Sequence, residues 1–460
     1  MNNVAADFQF HLMQDFFISG ATLSLNFRKQ QLKLLKSAVE KYEDRFFEAL
    51  HADLHKSKEE AYLTEIGLVF SEIGHALKHL QNWMAPETVK TPIALFPSRS
   101  SMVRVPMGIS LVIAPWNYPM QLLLAPLIGS IAAGNCTVLK PSELTPHTAD
   151  VVTDMIREHF SSNYIAVVNG EGEQVVNRLM DEHRFDNVFF TGSTAVGKKL
   201  AMKAAEKLIP ITLELGGKSP CIVDKDVDMD AAANRITWGK FTNAGQTCVA
   251  PDYLLVHESR KEELVNKMTK CIGEFYGTDP RLSDNYGRIV NERRFDALTP
   301  YLAQGRVITG GQTNREEKYI APTIMDNVVH DQPLMKEEIF GPILPVFTFK
   351  EHEEAMSVIN HNPSPLALYI FSKDKRVQQQ YERLVQYGGG CINNTLVHLG
   401  NPYLPFGGTG NSGMGSYHGK FSFDCFTRPK AMVASANWPD PALKYPPYQG
   451  KLKLLRWLFS

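Results

Sequence analysis

Between Gly108 and Leu208 short apolar runs alternate with stretches of helical character, and few folds accept a chain patterned that way. Gly108-Ile109-Ser110-Leu111-Val112-Ile113-Ala114 is apolar almost throughout, the mark of a strand buried on both faces. Residues 122–133 read as an apolar helix stopped by Gly134, and Thr137-Val138-Leu139 as the next strand. A helix over 147–160, a strand over 165–168, a helix over 173–180 and a strand over 187–190 continue the series. The last strand opens into a helix that runs to Leu208. This alternation predicts a parallel, doubly wound sheet. Ligands of such sheets sit at the C-terminal ends of the strands. Those ends carry Pro115-Trp116-Asn117-Tyr118-Pro119, Lys140-Pro141-Ser142-Glu143 and the Gly192 stretch.

With 460 residues the chain exceeds one hydrophobic core, so two or three domains are expected. A second alternating region begins near Leu213, with strands at Cys221-Ile222-Val223 and Tyr253-Leu254-Leu255-Val256 and helices over 229–241 and 261–275. A further strand at Leu344-Pro345-Val346-Phe347 and a helix over 351–360 follow. Ahead of both regions, Leu32, Leu35, Val39, Tyr42, Phe46 and Leu50 fall at helical spacing. A second helix over 62–83, stopped by Pro86, carries His75 and His79 as surface residues. Residues 91–106 lack helical periodicity and read as an excursion or hairpin.

A net charge of −1 gives no reason to expect nucleic acid as a partner. The six cysteines contain no C-x-x-C pair, a pattern of reduced cytosolic thiols rather than a disulfide framework or zinc site. The first 14 residues lack the features of a signal peptide, and no apolar run reaches membrane-spanning length. A cytoplasmic protein is expected. The basic, amphipathic end around Lys453, Arg456 and Trp457 reads as packing on the body of the protein or on a partner subunit, with contact to a membrane surface as the alternative.

Three glycine signals compete for a phosphate. Gly217-Lys218-Ser219 imitates the end of a P-loop, but Thr212 stands where that motif needs glycine, and Pro220 interrupts the helix it should start. Gly408-Thr409-Gly410-Asn411-Ser412-Gly413 matches G-x-G-x-x-G yet follows Pro405 rather than a strand, and reads as a flexible loop. Thr191-Gly192-Ser193-Thr194-Ala195-Val196-Gly197 fails the pattern but follows a strand and starts a helix, where N–H groups face an arriving anion. By itself it is equally a Ser-capped turn.

Ile211-Thr212-Leu213-Glu214-Leu215 sets a carboxylate in an apolar run. Asn243-Ala244-Gly245-Gln246-Thr247-Cys248 sets a thiol among small and polar residues. Apolar surroundings would raise the pKa of Glu214 and suit it to proton abstraction; alternatively it bonds to backbone at a strand end. Cys248 is either a nucleophile or a buried inert thiol. Asn117 is either an amide donor to an oxyanion or a turn residue between prolines.

With Glu338-Ile339-Phe340-Gly341-Pro342 and Pro405-Phe406-Gly407-Gly408 added, these stretches, in this order, resemble the NAD(P)-dependent aldehyde dehydrogenase superfamily over nearly the whole chain. Gly413-Met414-Gly415-Ser416-Tyr417-His418-Gly419-Lys420 and Tyr445-Pro446-Pro447-Tyr448 resemble its class 3 branch. The resemblance implies an α/β fold with a Rossmann-type cofactor domain (1–90 and 107–212) and an α/β catalytic domain (213–400). Residues 401–424 would return toward the cofactor domain, and 91–106 with 425–460 would form a small bridging element pairing subunits as a homodimer.

It also implies that Cys248 attacks an aldehyde, that Asn117 and the Cys248 N–H hold the oxyanion, and that Glu214 activates water against the thioester. Lys140 and Glu143 would reach the adenosine ribose and Ser193 would meet the pyrophosphate, with Gly192 and Gly197 also among the cofactor-binding residues. Glu338 would bind the nicotinamide ribose with Phe340 beside the ring, and Trp116 would also bind the cofactor. Glu143 would favour NAD, with NADP also accepted. The class points to medium- or long-chain aliphatic or aromatic aldehydes as substrates. Some members carry a longer hydrophobic C-terminal anchor; none is expected here. The rival readings are a CoA-acylating relative, which typically lacks the glutamate at 214, a Cys–His hydrolase and a non-catalytic structural relative.

Overall fold

The computed structural model describes residues 9–459. Its strands fall into two large sheets and two small ones. The first large sheet has six strands in the order Gly413–Met414, Ile211–Glu214, Asn187–Thr191, Ile109–Ile113, Cys136–Lys140 and Ile165–Val167. All run parallel except Gly413–Met414. Helices Gln121–Ala133, Pro146–His159, Gly172–Glu182 and Thr194–Glu206 supply the crossovers, as the alternation of apolar runs required. Ile109–Ile113, at the centre, is buried along its whole length.

The long helix Leu25–Leu54 packs beside Pro146–His159. Ser24 caps its start by accepting from the Phe27 N–H. Its residues 32, 35, 39, 42, 46 and 50 are all buried, the face read from their spacing. His75 and His79 are half-buried, stacked around Trp83 and Tyr403 rather than fully solvated.

The second large sheet has seven strands, ordered Arg306–Thr309, Thr323–Asp326, Ile343–Phe349, Tyr253–His257, Pro220–Val223, Ala367–Phe371 and Gly389–Ile392. Only Arg306–Thr309 runs antiparallel to its neighbour. Two boundaries differ from expectation. Ile211–Glu214 is hydrogen-bonded into the first sheet, so a division at 213 cuts through a strand whose partner, Asn187–Thr191, holds it. Glu87–Val89 already belongs to the third sheet, where it pairs with Ser98–Pro106, which pairs in turn with Thr427–Ser435. The 91–106 excursion thus ends in Ser98–Pro106, the central strand of an antiparallel ribbon, after a short turn at Ile93–Leu95, and Thr427–Ser435 is exposed from its second residue onward.

The Gly408–Gly413 loop is pinned rather than flexible. Thr409 and Ser412 cap each other, and Ser412 O accepts from the Leu215 N–H at 3.0 Å. No helix among the described residues is long and apolar enough to cross a membrane.

Candidate active site

Four adjacent strands of the first sheet end at one edge, and each delivers a residue there. Ile109–Ile113 leads to Asn117, Cys136–Lys140 ends on Lys140, Asn187–Thr191 leads to Gly192, and Ile211–Glu214 ends on Glu214. The second sheet meets this edge with the loops that precede two of its own neighbouring strands. Cys248 precedes Tyr253–His257, and Glu338 precedes Ile343–Phe349.

The loop before Cys248 is conformationally costly. Asn243 and Ala244 both take left-handed backbone angles, with φ of 52° and 51°, and Gly245 follows at 74°. Only glycine fits the third position, because a Cβ there would lie 2.3 Å from the Gly341 carbonyl oxygen. Strain of this kind persists only where neighbours over-determine it, and Gln246 is one such neighbour. Its side chain donates to the carbonyls of Asn243 (3.1 Å) and Arg288 (2.9 Å) and accepts from the Val290 N–H (3.0 Å). Thr247 is held by the Tyr118 hydroxyl at 2.5 Å. The backbone N–H groups of Cys248 and Val249 aim at Sγ, yet burial, followed by the charges of Glu338 and Glu214, pushes the thiol pKa up.

Asn117 is buried, and one amide hydrogen goes to the Gln246 carbonyl at 3.0 Å. A side-chain amide has two donors, so the other is free for a substrate. Glu214 is 2 % exposed, and neither carboxyl oxygen has a hydrogen-bond partner among the described residues. Burial raises its pKa well above the ordinary carboxylate range, which removes the reading of a carboxylate tied to backbone.

Cys248 and Glu214 stand on the wall shared by two cavities. One, of about 260 Å³, is apolar and lined by Leu63, Leu122, Trp238, Leu396, Leu399 and Phe406 among others. The other is a cleft of about 860 Å³ lined by Trp116, Asn117, Gly192, Ser193, Glu338 and Phe340 among others. Trp116 and Phe340 meet edge to face across it, with centroids 5.2 Å apart. Ser193 caps helix Thr194–Glu206, whose first N–H groups open toward the cleft. Glu338 is raised to about 8, by burial first and Asp252 second, against the Gly217 N–H and the charges of Lys218 and Arg294.

Three of the expected cofactor contacts stand apart from this cleft. Gly197 is buried against Leu215, where a Cβ would come within 2.6 Å of Cδ2, so it lets the helix approach the sheet instead of lining the cleft. Lys140 and Glu143 lie outside the lining and bond to each other at 2.6 Å. Burial, the largest single effect, raises Glu143, but the bond and charge of Lys140 together with the backbone N–H groups of Glu143 and Gly172 outweigh it and hold the carboxyl below its usual value.

Lys218, rejected above as a phosphate ligand, is buried in an ion pair with Asp252 and donates to the carbonyls of Leu334 (2.9 Å) and Glu337 (2.8 Å). Asp252 also accepts from the Ile339 N–H at 2.9 Å, so the pair ties the Gly216–Gly217 turn, the Cys248 loop and the Glu338 loop together. A Cβ on Gly216 would fall 1.9 Å from a Glu338 carboxyl oxygen, which is why glycine is needed there. None of this was read from the sequence, where Lys218 and Asp252 lie far apart.

A family model described as the aldehyde dehydrogenase family matches residues 12–432. The chain belongs to the aldehyde dehydrogenase family. It is therefore an oxidoreductase acting on aldehydes. It is 48% identical over 454 residues to the 4,4'-diaponeurosporen-aldehyde dehydrogenase of Staphylococcus aureus, covering 98% of both chains. It is 44% identical to mouse aldehyde dehydrogenase family 3 member B3, covering 97% of this chain and 93% of the relative. That agrees with the class 3 resemblance of the Gly413–Lys420 stretch. The solved structure described as the substrate-bound state of Staphylococcus aureus AldH superposes with a TM-score of 0.96 at 48% identity, covering 98% of both chains. An indole-3-acetaldehyde dehydrogenase solved with NAD+ superposes at 0.83 with 28% identity, over 93% of this chain and 88% of that one.

Proposed function

We propose that this aldehyde dehydrogenase oxidises apolar aldehydes, medium- or long-chain aliphatic or aromatic, to carboxylic acids by a hydrolytic route with NAD+. The observation that carries the reading is the shared wall: Cys248 and Glu214 face an apolar cavity on one side and a polar cleft on the other. The apolar cavity takes the aldehyde tail. The residues of the cleft fit a dinucleotide: a helix N-terminus at Ser193 for the pyrophosphate, and the aromatic pair Trp116 and Phe340 with Glu338 at the far end. Glu143 stands outside the cleft, paired with Lys140, so it sets no preference against a 2′-phosphate, and NAD+ and NADP+ both fit the reading.

When bound, NAD+ supplies the acceptor for the aldehyde hydride. The protein's own groups do the remainder. The Cys248 thiol proton passes to solvent, Sγ forms a bond to the carbonyl carbon, and the carbonyl electron pair moves to oxygen. The free N–H of the Asn117 amide and the Cys248 backbone N–H take that oxyanion. Loss of hydride leaves an acyl thioester on Cys248. Glu214 then removes a proton from water, whose oxygen attacks the thioester carbon, and the carbon–sulfur bond breaks. An unpartnered carboxylate with a raised pKa is suited to that proton transfer. Its presence also favours water over CoA as acyl acceptor.

The long exposed edge of Thr427–Ser435 supports a homodimer built by strand addition, to be checked by light scattering. All six cysteines are free, in keeping with a cytoplasmic setting. The deciding experiment follows NADH absorbance with aldehydes of increasing length, with NAD+ or NADP+, with and without CoA. Turnover without CoA, strongest with long apolar aldehydes, is expected. Turnover only with CoA would transfer the chain to the acylating class.

A further inference from the structure

Lys56 and Glu65 form an ion pair in which neither side chain has any solvent exposure, with Nζ 2.6 Å from Oε1. Pairs of this kind rarely improve on apolar residues of the same size, so their worth lies in what they hold. Lys56 Nζ also donates to the backbone carbonyl of Asn117 at 3.1 Å and sits 4.1 Å from the centre of the Tyr118 ring. The second Glu65 oxygen accepts from the N–H groups of Met120 (2.9 Å) and Gln121 (3.2 Å), where helix Gln121–Ala133 begins. The pair therefore grips the turn that carries Asn117 at both of its ends.

The nucleophile loop is tied into the same arrangement. Asn243 Nδ2 donates to the Asn117 carbonyl at 2.8 Å, beside Lys56, and to the Gln246 carbonyl at 3.2 Å, which also receives Asn117 Nδ2. The N–H of Asn243 is taken by Glu60 Oε1 at 2.8 Å. Glu60 and Glu65 come from one segment, and residues Tyr62–Ile66 within it form a single π-helical turn. Such turns insert a residue into a helix and recur at functional sites. Here the turn sends Leu63 and Thr64 to the aldehyde cavity and Glu65 to the interior.

We infer that Lys56 and Glu65 are positioning residues that fix the Asn117 amide relative to Cys248, so that the oxyanion donor is in place before substrate arrives. The inference deepens the proposed function and rests on Asn117 as that donor. It assigns a role in the reaction to a helical turn that touches neither thiol nor cofactor.

A trifluoromethyl ketone with an apolar chain tests it without cofactor or turnover. Cys248 Sγ bonds to its carbonyl carbon, the carbonyl pair becomes an alkoxide, and the thiol proton passes to solvent. Fluorine NMR reads the tetrahedral adduct. Lys56→Met leaves Glu65 without its partner and lowers the melting temperature, so Lys56→Met/Glu65→Gln is the informative variant. The amide oxygen at 65 can still accept from Met120 while the ammonium on Asn117 is gone. In that double variant adduct affinity should fall about 10- to 100-fold, whereas alkylation of Cys248 by iodoacetamide, which builds no oxyanion, should stay within about threefold of wild type. Wild-type adduct affinity in the double variant would overturn the inference. So would a parallel loss of adduct and alkylation, which would mean a collapsed loop rather than a displaced amide. Failure of the wild-type protein to form any adduct would instead overturn the roles given to Cys248 and Asn117, and the inference with them.

Discussion

Replacing Glu214 by glutamine separates chemistry from architecture, because the structure gives its carboxyl no architectural bond to lose. Both oxygens are unpartnered, the residue is 2 % exposed, and glutamine has nearly the same shape. The expected loss is that of a general base, about 10²- to 10⁴-fold in steady-state turnover. Acylation does not use the base, so stopped-flow absorbance should still show a first burst of NADH equal to the enzyme present, followed by a stall. Stability should move the other way. In the unfolded chain the carboxyl ionises near its ordinary value of 4.5, while burial raises its folded pKa well above that. The folded state therefore loses stability as pH rises from the unfolded value toward the folded one. Glutamine removes that loss, so the variant should melt higher than wild type at pH 8, and the difference should vanish below about pH 4. Wild-type turnover in the variant would remove Glu214 from hydrolysis. Loss of the burst together with turnover would move it to the acylation step.

Cys248→Ala should abolish NADH production while leaving NAD+ binding, read by quenching of Trp116 fluorescence, intact; residual turnover would exclude Cys248 as nucleophile. Gly216→Ala puts a methyl group 1.9 Å from the Glu338 carboxyl. It should lower stability by about 1–3 kcal/mol and weaken NAD+ binding by calorimetry, and unchanged values would mean that the Glu338 loop yields freely. Leu399→Trp intrudes on the cavity of about 260 Å³. It should raise KM roughly 10-fold or more for long aldehydes while sparing short ones, and equal effects on both would place the tail elsewhere.

The sheet that carries the site was legible because its strands are buried on both faces. Ile109–Ile113 is apolar but for Ser110, and Asn187–Thr191 holds the apolar run Val188-Phe189-Phe190, with no solvent-facing alternation to blur either. Helix Leu25–Leu54 was legible for the opposite reason, since charges mark every turn of its outer face. Gly389–Ile392, which closes the second sheet, begins with two glycines and carries no strand signal. The division near 213 failed because Ile211–Glu214 and Pro220–Val223 are neighbours in sequence and strands of different sheets. Nothing in an apolar run states which partner it will take.

The same limit applied to the site. Cys248, Glu214 and Asn117 each kept a structural alternative in the sequence, and only the ordered set of stretches resembling the aldehyde dehydrogenases singled them out. The groups that hold them could not be singled out, because their meaning is a contact across the chain. Lys56 donates to a carbonyl 61 residues on, and Asn243 is taken by a glutamate 183 residues before it. In the sequence Lys56, Glu60 and Glu65 are three charges among many, whose usual fate is solvent. Only burial separates them from their neighbours, and burial belongs to the fold. In the proposed site the alignment of Cys248, Glu214 and Asn117 rests on contacts made at long range, so single substitutions far from the thiol should alter the reaction without touching the substrate.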